Sequence, residues 1–397
     1  MAEENSRTTT DVSTAVPARP GEAEQLLGLL SSVQAERQSE RPAEERGPAS
    51  APAPEGRAEA KHLPSLDGLR AISIMLVLLG HLSGTQGFGR VDLGVGDYAH
   101  LGVVVFFIIS GFLITRLLLN EQERKGRVSL TSFYLRRAIR LFPALYLFVG
   151  CVWVLSRLGW VEVPGRQLWY AATYTVNYLP DRAWPIGHLW SLSVEEQFYL
   201  VWPLAFILAG RRGTVWVAVA GMAMGPVARL AARFLLAGTP YRELEMFPME
   251  ADSIATGCLL ACLQARLEGL SWYRRLFRPA WSLGLLAMVA VLNRYLGYTV
   301  VSVFGRTLLH LGLAVLIHRS VFHKDDRWGR VLNWGPLAWV GVLSYSLYLW
   351  QQLFLNRTST AWANAFPQNL VLAVAVAVAS YGLVEKPLLR WRSRLRR

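Results

Sequence analysis

Leu66-Asp67-Gly68-Leu69-Arg70-Ala71-Ile72-Ser73-Ile74-Met75-Leu76-Val77-Leu78-Leu79-Gly80-His81 sets an uncharged apolar run between a charged start and a single imidazole. From about residue 69 to 86 this reads as one membrane-crossing helix, because roughly 20 apolar residues rising 1.5 Å each cover a hydrocarbon core of roughly 30 Å. Comparable runs recur at about 99–119, 139–157, 190–209, 214–236, 251–267, 279–297, 301–319, 336–356 and 369–388. The expected fold is all-α, a polytopic membrane helix bundle of about ten transmembrane helices. Leu370 to Ala379 alternates Val or Leu with Ala, a strand-like period, yet no polar face appears, so it too reads as a helix.

Composition agrees. Hydrophobic residues make up 53% of the 397 and charged residues only 17%, which is more apolar surface than one soluble core needs. A net charge of +13 raises nucleic acid as a partner, but most Arg and Lys fall in short segments between apolar runs, where they set topology. No nucleic-acid partner is expected. With a cytoplasmic N-terminus, the segments holding Arg136, Arg137 and Arg140, then Arg211 and Arg212, then Arg274, Arg275 and Arg278, all fall inside, as does the tail Arg390 to Arg397. The opposite loops, 238–252 and 357–368, are less basic. This places a multi-pass protein in the inner (cytoplasmic) membrane with both termini in the cytoplasm.

Residues 1–61 are rich in Pro, Ala, Glu, Ser and Arg and read as a disordered cytoplasmic tail, with room for a short amphipathic helix over 23–36. The tail lacks a signal peptide's basic start and apolar stretch, so the first span is expected to direct insertion. The transmembrane domain is then 62–390, followed by a basic cytoplasmic tail over 391–397. Cys151, Cys258 and Cys262 match neither a disulfide framework nor a metal spacing and read as packing residues. Gly221 and Gly225 form a small-residue pair suited to close helix approach. His100, His188, His310, His318 and His323 form no close ligand spacing, so no metal is expected.

The residues that could carry chemistry sit at the ends of spans. Arg70 and His81 are eleven residues apart, so on a helix they differ by about 20° around the axis and about 16 Å along it. They line one face at different depths. The plain reading is an interfacial arginine and an imidazole bonded to a neighbouring helix. The functional one is an anion-binding group and a catalytic base, favoured because ionisable residues inside membranes are usually functional. A neutral imidazole can accept a hydroxyl proton as the oxygen attacks a carbonyl, which suits acyl transfer. Asp67, one turn before Arg70, either orients the guanidinium or answers the helix dipole.

Arg137 and Arg140 fall on adjacent turns of one face, a forked pair that fits phosphates and also serves as a topology signal; Arg136 points elsewhere. In Trp190-Ser191-Leu192-Ser193-Val194-Glu195-Glu196-Gln197-Phe198-Tyr199, Ser193 and Glu196 have capping-box spacing. That leaves Glu195, with Trp190 and Tyr199 nearby, to bind a hydroxylated, sugar-like acceptor or to tune His81.

Taken in order, these blocks resemble the bacterial acyltransferase-3 family of integral membrane O-acyltransferases. The resemblance rests on Leu66 to Ala71 with His81, Val105-Phe106-Phe107-Ile108-Ile109-Ser110-Gly111-Phe112-Leu113-Ile114, Arg137 with Arg140, and Trp190 to Glu195. Ser344-Tyr345-Ser346-Leu347-Tyr348-Leu349-Trp350 and Glu385-Lys386-Pro387 extend it, so it covers about residues 63–390. Gln351 stands where many members carry His.

The resemblance implies a ten-helix enzyme that esterifies a hydroxyl of a glycan or glycosylated molecule with an acyl group from acyl-CoA, commonly acetyl. It makes His81 and Arg70 essential and gives Arg137 and Arg140 to the donor; Asp67 and Glu195 join the candidate catalytic set from the reading of the residues alone. Acyl-CoA is then a donor substrate, with no tightly bound cofactor. The partners are acyl-CoA, a glycan or glycosylated small-molecule acceptor and the lipid bilayer. Some members complete the transfer with an extracytoplasmic hydrolase-like domain; this chain ends at Arg397, so transfer is expected within the membrane domain or with a partner, direct rather than through an acyl-enzyme. The alternative class is a transporter or flippase using the same His and Arg for coupling, which the lack of repeated halves disfavours.

Overall fold

The computed structural model describes residues 63–394 except 93–96, 242–244, 279–280, 282–283, 285–286, 289–290, 292–299 and 324. The expected tail over 1–61 and most of the expected span at 279–297 lie outside the described residues. Those described are helical with no strand. The principal helices are α1 (Pro64–Leu82), α2 (Tyr98–Lys125), α3 (Leu130–Arg157), a short α4 (Gly165–Ala172), α5 (Leu189–Leu235), α6 (Phe247–Gly269), α7 (Arg306–Phe322), α8 (Gly335–Phe354) and α9 (Gln368–Ser380). After α9 the chain passes through a π-type turn at Tyr381–Glu385 into a last helix, Lys386–Arg394.

Local chemistry sets several of these ends. Proline occupies the first turn of α1, α6 and α8, where its missing N–H costs nothing. Asp97 caps α2, accepting from the His100 N–H at 3.0 Å, and Ser129 caps α3. At Gly210 the backbone takes φ 64° and ψ 177°, a conformation that favours glycine. It divides α5 into two antiparallel arms with no intervening loop.

Side-chain contacts fix the helix directions. The end of α1 meets the start of α2 where Gly80 abuts Ala99. Helices α2 and α6 run parallel, from His100 near Glu250 to Thr115 beside Cys258, and cross through Gly111 and Gly257; a Cβ on either would lie 2.0 Å from the carbonyl oxygen of Ile254 or Ile108, so only glycine permits this approach. Helix α8 runs parallel to α1, with Gly341 beside Asp67 and Gln351 beside His81. Helix α9 returns antiparallel, from the Asn369 Nδ2 bond to Thr85 Oγ1 at 3.2 Å to the bond that Ser346 donates to Glu385. Gly221 and Gly225 both face α6, beside Ala255 and Asp252.

Among the described residues, five stretches are long and apolar enough to cross a membrane: Ser65–Leu82, Tyr98–Lys125, Leu130–Arg157, Trp184–Leu235 and Gln368–Trp391. The fourth is 52 residues long and holds both arms of α5. Helices α6, α7 and α8 carry more polar groups, and these are buried against protein, the arrangement membrane bundles require. Arg229 of α5 clamps Asp252 of α6 through two bonds of 3.0 and 2.8 Å, and Thr307 of α7 donates to the same carboxylate at 2.7 Å. Arg306 pairs with Glu250 at 3.1 Å.

Two boundaries differ from expectation in ways that matter. Helix α3 starts at Leu130, not near 139, because Ser129 caps it and Pro143 is accommodated within it. Arg136 and Arg137 therefore lie within α3 ahead of its expected start, and the helical spacing read for Arg137 and Arg140 belongs to this helix. Helix α5 begins at Leu189, ahead of Ser193, whose hydroxyl donates back to the Leu189 carbonyl at 2.9 Å. Ser193 and Glu196 thus form no capping box.

Candidate active site

His81 lies in the last turn of α1, which ends at Leu82 and not near 86. Its Nδ1 is 2.9 Å from Gln351 Oε1, and its Nε2 is 3.4 Å from Gln352 Nε2. The orientation of the Gln352 amide follows from its other contact, since its Oε1 accepts from the His188 backbone N–H at 2.8 Å. The Gln352 NH2 thus faces His81, so Nε2 presents its lone pair and Nδ1 carries the proton toward Gln351. That tautomer makes Nε2, which accepts a long 3.4 Å contact from Gln352, the basic nitrogen of the ring. Trp184 packs edge-on against the imidazole with ring centroids 5.7 Å apart. Arg357 donates to the Gly80 carbonyl, setting a guanidinium beside the same turn.

Arg70 and Asp67 pair at 3.2 Å near the start of α1. The contact is the one expected from their spacing. It lies about 16 Å along the helix from His81, so the two ends of α1 hold separate features. No direct bond joins Arg70 to His81 among the described contacts.

A second cluster joins α2, α3 and α5. Ser110 and Tyr199 both donate to Glu195, and their hydroxyl oxygens lie 2.9 Å apart. The Arg137 guanidinium carbon sits 3.2 Å from the Tyr199 ring centroid, a cation–π arrangement. Arg137 and Glu195, assigned from sequence to different substrates, are thus neighbours across one tyrosine. Glu195 bonds within this cluster and makes no described contact with His81. Arg140 lies within electrostatic reach of Glu385. Arg136 lies 3.5 Å from Glu121 of α2.

Tyr174 closes this cluster from the segment between α4 and α5. It adopts φ 53° and packs at 5.7 Å from Phe142, and its carbonyl accepts from Gln197 at 2.8 Å. Burial pushes its phenol well above the ordinary tyrosine range, with the Glu196 carboxylate adding to the effect.

The sequence marks Gln351 only as a departure from the family pattern and His188 only as lacking a ligand spacing; neither, nor Gln352, is legible there as part of the His81 site. The signal was two adjacent amides, Gln351 and Gln352, ending an apolar helix, where uncompensated polar groups are costly. Gln351 is fully buried and its Oε1 holds the His81 Nδ1. Replacing Gln351 by leucine removes a buried bond worth about 1–3 kcal/mol. The expected result is a kcat lower by about tenfold or more with acceptor KM little changed, while Gln351→His retains most of the rate.

The fold and these clusters define a polytopic membrane bundle with a neutral imidazole and an arginine–carboxylate group built into its interior. The acyltransferase domain family matches the chain over residues 63–384, and the chain belongs to that family. It is 27% identical over 367 residues to the peptidoglycan O-acetyltransferase OatA of Listeria monocytogenes, covering 84% of this chain and 56% of that protein. It is also 27% identical to the putative peptidoglycan O-acetyltransferase YrhL of Bacillus subtilis, over 83% of this chain and 55% of that one. A putative O-acetyltransferase of Staphylococcus aureus matches at 26% over 84% and 59%. The chain thus spans little more than half the length of these relatives. No solved structure matches it.

Proposed function

We propose that the protein is a membrane O-acyltransferase that moves an acyl group, acetyl or another short chain, from acyl-CoA to a hydroxyl of a carbohydrate or glycosylated acceptor. The observation that carries this reading is the His81 tautomer, with its proton held at Nδ1 by Gln351 and its lone pair at Nε2. His81 Nε2 takes the acceptor hydroxyl's proton as that oxygen attacks the thioester carbonyl. The C–S bond then breaks, an ester forms, and the imidazolium returns the proton to the departing CoA thiolate. Transfer is direct.

Arg137 and Arg140 guide the donor, with Arg70 answering its negative charge at the same end of the bundle. That end, holding the start of α1, faces the cytoplasm of the inner membrane, and His81 lies toward the other side. Glu195, with Ser110 and Tyr199, shapes the path between them. The glycan acceptor follows from the relatives, named for peptidoglycan O-acetylation.

The test is transfer by the purified chain in detergent, supplied with acetyl-CoA and a soluble glycan fragment and followed by mass spectrometry. Matched release of free CoA and appearance of an acyl ester on the glycan is expected. Glycan uptake into vesicles with no ester formed would replace this reading by transport.

A further inference from the structure

Apart from the His81 and Glu195 clusters, the described residues line a half-open cavity of about 920 Å³ between the C-terminal ends of α2 and α6 and the Gly210 bend of α5. Four arginines line it, Arg116, Arg211, Arg212 and Arg266, against two glutamates, Glu123 and Glu268. Glu268 is engaged by His318 at 3.0 Å. Glu123 pairs with Arg211 at 3.0 Å, but both side chains are more than half exposed, and exposed pairs of this kind hold weakly. Among the described contacts no ion pair engages Arg116, Arg212 or Arg266. The Arg116 Nη1 atom is buried with no hydrogen-bond partner. A buried, unanswered guanidinium nitrogen is costly unless an anion meets it.

The backbone adds to this. Gly210 interrupts α5, so the second arm starts at Arg211, and its N-terminal end borders the cavity through Arg211 and Arg212. The positive end of a helix dipole and two successive arginines therefore meet on one wall of the cavity. Trp216, 74% exposed, forms another part of the lining.

We propose that this cavity binds a phosphate-bearing ligand, at a site separate from Arg137 and Arg140. Arginine's planar fork matches phosphate oxygens. Two sources share that chemistry. One is the nucleotide end of the acyl donor, whose part in the argument rests on the function proposed above. The other is the head group of an anionic phospholipid, reached from the bilayer past Trp216.

The full chain, purified in detergent, is titrated calorimetrically with 3′-phosphoadenosine 5′-diphosphate, the nucleotide end of CoA. In parallel it is reconstituted in phosphatidylglycerol or phosphatidylcholine nanodiscs and retained lipid is counted by native mass spectrometry. Arg212→Ala and Arg266→Ala are compared with Arg157→Ala, an exposed residue at the opposite end of the bundle, and thermal melting verifies that each variant folds. Either probe should bind at least tenfold more weakly to Arg212→Ala and Arg266→Ala, with Arg157→Ala unchanged. Nucleotide binding alone assigns the donor; selective retention of phosphatidylglycerol alone assigns the lipid. Binding of neither probe, or binding indifferent to both substitutions, overturns the site. These readouts involve no turnover, so a chain that fails to transfer acyl groups can still pass them, and an active one can still fail.

Discussion

Replacing His81 by alanine should lower the acyl-transfer rate at least 100-fold while leaving the protein folded. General-base catalysis contributes about 10²–10⁴-fold, and nothing else within bonding distance of that imidazole can take its place, since its partners are the amides of Gln351 and Gln352. The structural cost should be small. His81 occupies the last turn of α1, and its bonds are side-chain bonds to one neighbouring helix. Ester formation in cells and in detergent should both disappear, while melting temperature and size-exclusion profile stay close to the parent's. An ester surviving at similar abundance in His81→Ala cells would remove the base from the mechanism.

The largest loss of stability should come from Arg229→Ala. Its guanidinium is the main counter-charge to Asp252, which is fully buried and also bonded by Thr307 and approached by His310 at 3.3 Å. Breaking a buried pair by removing one partner costs about 3–5 kcal/mol, because the remaining charge is left uncompensated. Arg229→Ala should melt far below the parent or fail to be recovered from membranes. Arg229→Leu combined with Asp252→Leu should restore much of the loss, since removing both charges spares the penalty. If the double variant is no better than Arg229→Ala alone, the pair is not the cause.

The membrane class was legible because apolar runs long enough to span recur through the sequence, and the helices largely coincide with them. Polar residues inside them were legible only as anomalies. Arg70 with Asp67 could be read because they share one helix turn. Gln351 with His81 could not, since 270 residues separate them and their meeting depends on α8 lying parallel to α1. The partners of Arg137 were hidden for a related reason. Topology rules weigh positive charge and take no account of a tyrosine face or carboxylate waiting on another helix to receive it. Arg137 needs Tyr199, and Tyr199 needs the start of α5 set four residues ahead of Ser193, which its Ser-x-x-Glu pattern misrepresents.

The Arg229–Asp252 clamp also bears on how the chain reaches its membrane. Taken singly, the second arm of α5 would enter lipid with a bare guanidinium and α6 with a bare carboxylate, each at a cost of about 2.5–3.5 kcal/mol near a helix centre. Joined, they enter neutralised. The expected order of biogenesis is therefore pairwise, with the second arm of α5 retained beside the insertion machinery until α6 has been synthesised and the two can leave as a hairpin.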